Sequence, residues 1–150
     1  MAGTEAGVTE RSATFSTCFG SPFMPLGPAV YGDLVRNKVA RHKVTCWLVN
    51  TGWSRGSYGV GSRRKIAYSR ALVDSALNGT LNAGVFEKDA FFGLDIPTSC
   101  DGVPGDVLNP RNTWADKKMY DEAATRLVEM FKDNFEKYAP NVTAGVANVM

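Results

Sequence analysis

The chain contains 150 residues, of which 44% are hydrophobic, and this is enough for one domain with a sizeable core. Its formal net charge of +2 excludes a global electrostatic attraction to nucleic acid or to an anionic membrane. No window approaches the roughly 20 apolar residues of a membrane span, and the first residues lack the pattern of a signal peptide.

The first half of the chain is predicted to hold one helix and one buried strand. Residues 1–28 are rich in Gly, Pro, Ser and Thr, which predicts looped chain with a possible strand at "ATFSTCF". Apolar residues at near-helical spacing predict a helix over about residues 28–41. The segment "KVTCWLVN" (residues 43–50) is short, β-branched and aromatic, so it predicts a buried strand that stops at Asn50-Thr51-Gly52.

A glycine-rich loop follows, and the pattern then returns to helix. A helix is predicted from about Ser69 to Leu77, with Asn78-Gly79 as its left-handed C-terminal stop. The segment "FFGLDIP" (residues 91–97) alternates large apolar residues with Gly and Asp, which predicts a strand. Residues 98–114 are dominated by Gly, Pro and turn-forming polar residues, so they predict a loop.

The clearest predicted element is an amphipathic helix near the end of the chain. Asp116 is expected to cap its N-terminus, and the helical pattern continues to about Tyr138. Two pairs of opposite charge at i,i+4 spacing, Glu122–Arg126 and Asp133–Lys137, are expected on its solvent side. The residues predicted to face the core are Tyr120, Ala123, Ala124, Leu127, Phe131 and Phe135.

The alternation of helix, strand and helix predicts an α/β fold. Only two or three segments are convincing strands, and long loops and helices separate them. A parallel sheet with so few strands would leave its edges and one face uncovered. The sequence therefore predicts an incomplete sheet.

The glycine-rich loop is the first candidate site. Gly56 and Gly61 set a G-x-x-x-x-G frame, but Ser62 and Arg63 follow where a phosphate loop needs Lys and then Ser or Thr, which excludes a working Walker A loop. Three interpretations stay open: a flexible surface loop with solvated charges, a nucleotide or phosphate contact made by arginine forks, or an RNA contact. The basic cluster around the loop comprises Arg55, Arg63, Arg64, Lys65 and Arg70.

The remaining candidates carry little chemistry. His42 is the only histidine and ends a predicted helix, where an imidazole complements the helix dipole, so a capping role is preferred over catalysis. A single histidine also excludes an HExxH motif and a Ser-His-Asp set. Asp101 and Asp106 lack the spacing of a calcium hand and are interpreted as turn formers.

The 3 cysteines form no CxxC pair, which predicts free thiols in a reducing compartment. That compartment is expected to be the cytoplasm, or an organelle if an N-terminal signal is missing. Cys18 is interpreted as a buried small hydrophobe.

A set of longer segments, spread from about Ala2 to Tyr138, is more specific than any of these motifs. The segments are "AGTEAGVTE", "TFSTCFG", "WLVNTGW", "GSYGVGSRRKIAYSRALVDSALNGTL", "DIPTSCDGVP", "LNPRNTWADKKMYD" and "MFKDNFEKY". In this order and spacing they resemble the C-terminal part of an ATP-dependent phosphoenolpyruvate carboxykinase. The resemblance implies that residues 1–150 are the C-terminal part of a nucleotide-binding domain, an incomplete mixed-sheet α/β lobe that ends in a long amphipathic helix.

The resemblance also implies a chemistry and a site. The family converts oxaloacetate and ATP to phosphoenolpyruvate, ADP and CO2 in gluconeogenesis or its reverse, with divalent metal ions (Mg or Mn) stabilising the enolate charge. Where the family contacts ATP, this chain carries Arg63, Arg64 and Ser69. Arg63 is expected to stack on the nucleotide, and Arg64 to contact it through its backbone. Ser69 stands where the family has threonine, and it keeps the hydroxyl without the methyl group.

The other working parts of the family lie upstream of the matched region. They are the phosphate loop, the lysine, histidine and aspartate that bind metal, and the arginines that hold oxaloacetate. The resemblance therefore implies that this chain holds no catalytic and no metal-binding residue, and that it is inactive by itself. The alternative is a stand-alone, non-catalytic nucleotide- or phosphate-binding module. No contact with nucleic acid or membrane is expected.

Overall fold

A computed structural model of the chain describes Phe15, residues 20–56, residues 59–143 and Val146. The possible strand at "ATFSTCF" lies outside the described residues except for Phe15. The chain divides into two compact units. The first comprises Met1–Val44 and Asn134–Met150, and the second comprises Thr45–Asp133.

The first unit is built around helix α1, Pro28–His42. A proline in its first turn favours the helix start, and Lys43 ends it in the left-handed region with φ of 50°. His42 lies in the last turn, as predicted. On the helix surface Arg36 bonds Asp33 at 3.0 Å and donates to the hydroxyl of Thr143. The predicted helix is confirmed with one residue added at its end.

Residues 43–50, most of which belong to the second unit, were predicted to be a strand. Residues 43–50 contain no strand, and all of them are exposed except the half-buried Trp47. The strand prediction is wrong for this structure, and the physical reason is pairing: a strand needs a neighbour to accept its backbone hydrogen bonds. The β structure begins later, with strand β1 (Trp53–Ser54) paired antiparallel with strand β2 (Ser62–Arg63).

Helix α2 runs from Ile66 to Leu77, three residues longer at its start than the sequence predicted. Asn78 caps its end and Gly79 follows with φ of 83°, so the predicted stop is confirmed. A 3-10 turn, Thr80–Ala83, leads into strand β3 (Phe86–Lys88).

Strand β3 pairs antiparallel with strand β4 (Asp95–Pro97). The predicted strand over residues 91–97 is therefore only half right. Its first part is a turn, in which the carboxylate of Asp89 accepts the backbone N–H groups of Phe91 (3.0 Å) and Phe92 (2.6 Å). A polar side chain that satisfies two amides locally removes their need for a strand partner.

The segment after β4 is more regular than its composition predicted. Helix α3 (Gly105–Leu108) and helix α4 (Pro110–Thr113) occupy what was expected to be loop. The side chain of Asn109 accepts the N–H of Arg111 at 3.0 Å and so caps α4. Proline at the first helical position suits this cap, and the same Pro and Asn residues had suggested a loop.

Helix α5 runs from Lys117 to Glu136, and Asp116 caps it by accepting the N–H of Lys118 at 2.8 Å. The predicted helix and cap are confirmed. Among the described residues, Glu122 contacts Lys118 at 3.8 Å, and Lys137 donates to the side-chain oxygen of Asn134 at 2.7 Å. These contacts differ from the predicted pairs Glu122–Arg126 and Asp133–Lys137.

The predicted buried stripe of α5 is largely open. Only Ala124 is buried, whereas Leu127 is 36% and Phe131 is 41% exposed. The small core of the second unit consists of Val103, Val107 and Leu108, against which Tyr68, Ala71, Leu72 and Cys100 pack. An apolar stripe stabilises a helix when it is covered, and among the described residues most of this stripe is not buried. None of the helices among the described residues has the length and hydrophobicity to span a membrane.

Candidate functional site

The arginine-rich loop is a β-hairpin in the structure. Trp53 pairs with Arg63, Ser54 pairs with Ser62, and the N–H of Arg64 extends the pairing to the carbonyl of Gly52 at 2.9 Å. This hairpin was missed because its strands are two residues long and lie outside the apolar run that precedes them.

Gly61 is required by the closeness of the hairpin backbone. A Cβ atom at Gly61 would lie 2.5 Å from the carbonyl oxygen of Ser54 and 2.6 Å from that of Gly56. Both neighbours are backbone atoms, which cannot swing aside as the end of a flexible side chain can. The glycine frame of this loop therefore serves hairpin closure, at least at Gly61.

Two contacts attach the hairpin to the segment that carries α3 and α4. The N–H of Arg55 donates to the hydroxyl oxygen of Thr113 at 3.1 Å, and that hydroxyl donates to the carbonyl of Pro110 at 2.7 Å. The guanidinium of Arg64 donates through Nη2 to the carbonyl of Val107 at 3.3 Å. No sequence pattern links these positions, because Arg55 and Thr113 are 58 residues apart.

Arg64 is half-buried, and its surroundings are unusual for a guanidinium. Its Nε atom is buried without a hydrogen-bond partner among the described residues. Burial lowers the pKa of Arg64 from its ordinary value, since desolvation disfavours the charged form. The sequence predicted a contact through the Arg64 backbone; the structure adds a side chain that faces inward and connects two elements.

Arg63 and Ser69 occupy different settings. Arg63 is exposed on β2, and Ser69 is half-buried in the first turn of α2. Because α2 begins at Ile66, the Ser69 amide already donates to the carbonyl of Lys65 at 3.4 Å, and its hydroxyl is the group left to meet a ligand. The ATP contacts of Arg63, Arg64 and Ser69 remain a prediction.

A cavity of about 960 Å³ lies in the second unit, and sequence reasoning did not foresee it. Trp47 and Phe86 stack on its wall with ring centroids 5.9 Å apart. Tyr120 also lines it, and burial, with the nearby negative charges, raises the pKa of its phenol. Arg64 contributes to the lining, whereas Arg63 and Ser69 do not. Within the part of the chain that the structure describes, no three His, Cys, Asp or Glu side chains gather where they could hold a metal ion.

Comparison with known proteins decides the family. The sequence profile of phosphoenolpyruvate carboxykinase matches residues 1–106. The chain belongs to the phosphoenolpyruvate carboxykinase family. The resemblance seen in the sequence is therefore confirmed.

Curated relatives of this carboxykinase-family chain carry the name phosphoenolpyruvate carboxykinase (ATP). The protein of Geobacter metallireducens is 69% identical over all 150 residues, and that of Geotalea uraniireducens is 68% identical over the same length. The protein of Ruegeria pomeroyi is 57% identical over 149 residues. The chain spans about 28% of the length of each of these relatives.

The α4 segment of the carboxykinase-family chain is fixed to α5 by a two-pronged ion pair. Arg111 donates to Asp121 through Nε at 2.7 Å and through Nη2 at 2.9 Å. These hydrogen bonds raise the pKa of Arg111 and lower the pKa of Asp121. Two parallel bonds fix orientation as well as distance, so the pair holds in place the segment to which the hairpin is attached.

Removing this ion pair should change the pH dependence of stability. We consider a graft enzyme, in which these 150 residues replace the matching segment of the Geobacter metallireducens relative. A lowered carboxyl pKa stabilises the fold above the unfolded pKa of about 3.9, and that stability is lost as pH falls through the folded pKa. Asp121→Asn should therefore lower the melting temperature at pH 7, and the difference should shrink toward pH 3. Thermal melts across this range, with the exposed Glu129→Gln as control, measure it; a pH-independent difference contradicts the prediction.

Proposed function

We propose that this chain is part of an ATP-dependent phosphoenolpyruvate carboxykinase. The complete enzyme would convert oxaloacetate and ATP to phosphoenolpyruvate, ADP and CO2. The observation that carries the proposal is identity of 69% across the whole chain to a relative of that name. Within that enzyme, residues 1–150 form the C-terminal part of the nucleotide-binding domain, and the isolated chain is inactive.

The part proposed for this chain is the wall of the ATP site beside the base and phosphates. Arg63 supports this role because its guanidinium is exposed, so it can stack on a purine face and pair with phosphate oxygens. Ser69 adds a hydroxyl one turn into α2. The triphosphate, its Mg or Mn ion and oxaloacetate are held by parts of the enzyme outside these residues. The cytoplasmic address remains a prediction.

Exposed apolar surface supports the proposal that the lobe is incomplete. The described residues form two sheets of two strands each, and pairs of strands are at best marginally stable without covering protein. Large apolar side chains are also open to solvent, including Phe23 (88%), Leu48 (83%) and Leu77 (81%). Surface of this kind is covered in an enzyme whose remaining polypeptide packs over it.

The graft enzyme tests the proposal directly. We expect it to form phosphoenolpyruvate from oxaloacetate and ATP, because these 150 residues would complete a relative that supplies the remaining parts. The isolated chain should form none under the same conditions. A graft enzyme that melts cooperatively and has no activity would contradict the proposal.

A titration of the isolated chain with Mg-ATP separates the proposed part from a stand-alone binding module. With the triphosphate and metal unheld, binding should be weaker than about millimolar, which corresponds to about 4 kcal/mol of binding free energy. Saturable micromolar binding that is lost in Arg63→Ala would instead establish the module. Reading the coding sequence upstream of Met1 for an in-frame G-x-x-x-x-G-K-[ST] loop gives an independent check.

A further inference from the structure

We propose that Thr113 and Arg64 are positioning residues for ATP binding, because they fix the hairpin that presents Arg63. This inference rests on the proposed function. Neither residue needs to act on the nucleotide through its side chain. Their role is to hold the β1–β2 hairpin on the α3–α4 segment, so that the exposed guanidinium of Arg63 occupies one place.

The hairpin depends on outside contacts for its orientation. Its ladder comprises two residue pairs, extended by the bond from Arg64 to Gly52. Val60 is 78% exposed, so its burial contributes little. A hairpin of this size is marginally stable alone, and the contacts that attach it to its neighbours therefore decide where it lies.

Arg64 fixes one face of the hairpin. Successive side chains of an extended chain point to opposite sides, so Arg63 and Arg64 face apart. Arg64 turns inward and bonds the carbonyl of Val107, and Arg63 is the exposed one of the two. The Nε of Arg64 is buried, so neighbouring atoms enclose this part of the side chain. Holding Arg64 inward thus holds Arg63 outward.

Thr113 fixes the other end of the hairpin, at the point where the chain leaves β1. Its hydroxyl donates to Pro110, which orients the oxygen lone pairs toward the N–H of Arg55. Arg55 has φ of 71°, a left-handed conformation that is strained for a residue with a side chain. Such a conformation persists when surrounding contacts hold it, and the bond from Thr113 supplies one.

Loss of either positioning contact should therefore affect ATP binding and the chemical step differently. Loosening the hairpin would spread Arg63 over several positions and reduce its contact with ATP, since only a fraction of molecules would present it correctly. The groups that would hold oxaloacetate and metal belong to other parts of the proposed enzyme. The apparent affinity for ATP should therefore fall while the rate at saturating ATP is retained.

The experiment uses Thr113→Val and Arg64→Met in the graft enzyme. Thr113→Val removes the hydroxyl at nearly constant shape, and Arg64→Met keeps an unbranched apolar chain without the donor. We expect the KM for ATP to rise about tenfold in each, the loss of one well-placed hydrogen bond. We expect kcat and the KM for oxaloacetate to change less than about twofold. Thr113→Ser, which keeps the hydroxyl, should restore the KM for ATP.

The outcomes separate this inference from the proposed function. Absence of carboxykinase activity in the unsubstituted graft enzyme would count against the proposed function. An active graft enzyme in which folded Thr113→Val leaves the KM for ATP unchanged overturns the positioning role. A fall in kcat with unchanged KM would overturn it as well. If Arg64→Met fails to fold, Thr113→Val and Thr113→Ser alone test the positioning role.

Discussion

Replacing Arg63 by alanine in the graft enzyme should raise the KM for ATP by about 10-fold to 100-fold. The reason is that a charge-assisted contact to phosphate is worth about 1.5–3 kcal/mol, and stacking on the base adds to it. Arg63 is exposed on β2, so its truncation removes ligand contacts without opening a cavity in the core. Initial-rate kinetics with varied ATP and saturating oxaloacetate measure the effect.

Two variants control for the loss of charge. Arg126→Ala removes an exposed arginine from α5, and it should change the KM for ATP less than about twofold because isolated surface charges are screened. Arg63→Lys keeps the charge but loses the planar stacking surface. Its KM for ATP should therefore lie between that of the unsubstituted graft enzyme and that of Arg63→Ala. Equal effects of Arg63→Ala and Arg126→Ala would reduce the role of Arg63 to general electrostatics and contradict the prediction.

The elements that the sequence predicted correctly are those stabilised by local interactions. Helix α2 carries its own stop signal, Asn78-Gly79, and helix α5 carries its own start signal, the Asp116 cap. The cap bonds form between residues two or three apart, so the sequence contains both partners. The family was recognised for a related reason: its long segments retain order and spacing across almost the whole chain.

Two of the wrong predictions concern segments whose pairing or burial depends on partners distant in sequence. Residues 43–50 have the composition of a buried strand, but neither a covering layer nor a pairing strand is present among the described residues. The apolar stripe of α5 has the periodicity of a core-facing helix, and Phe131 on that stripe is nevertheless 41% exposed. Periodicity indicates which face can be buried, and another part of the protein must supply what buries it.

The candidate site divides in the same way. The resemblance to the family selected Arg63, Arg64 and Ser69 from a basic cluster that residue chemistry alone left ambiguous. The contact of Thr113 with Arg55 could not be predicted, because it joins the chain after β1 to the last residue of α4, 58 residues away, through one hydroxyl. An inward Arg64 side chain was equally hidden, since composition favours exposed arginine. Residues of a binding site can be recognised from the sequence pattern of a family. Residues that position them through contacts distant in sequence are found from the structure.

Substituting Gly61 by alanine should disrupt the hairpin more than any single loss of a hydrogen bond. The added Cβ would lie 2.5 Å from the Ser54 carbonyl oxygen and 2.6 Å from the Gly56 carbonyl oxygen, so the backbone must move apart. Overpacking against atoms that cannot rotate away costs about 2–3 kcal/mol, and a hairpin of two residue pairs has little stability to lose. We expect hydrogen–deuterium exchange of the Arg64 amide, which bonds Gly52 in the intact hairpin, to approach that of an open chain.

Gly105→Ala is the matched control for this substitution. The nearest heavy atom to a Cβ at Gly105 is the Thr98 carbonyl oxygen at 3.9 Å, an ordinary contact, and the residue starts α3. It should leave exchange at Arg64 unchanged and slightly favour the helix. In the graft enzyme Gly61→Ala should also raise the KM for ATP by at least about tenfold, because an open hairpin no longer presents Arg63 in one place. If the Arg64 amide of Gly61→Ala stays protected from exchange, the hairpin tolerates the added Cβ atom. The steric reason for glycine at this position would then be wrong.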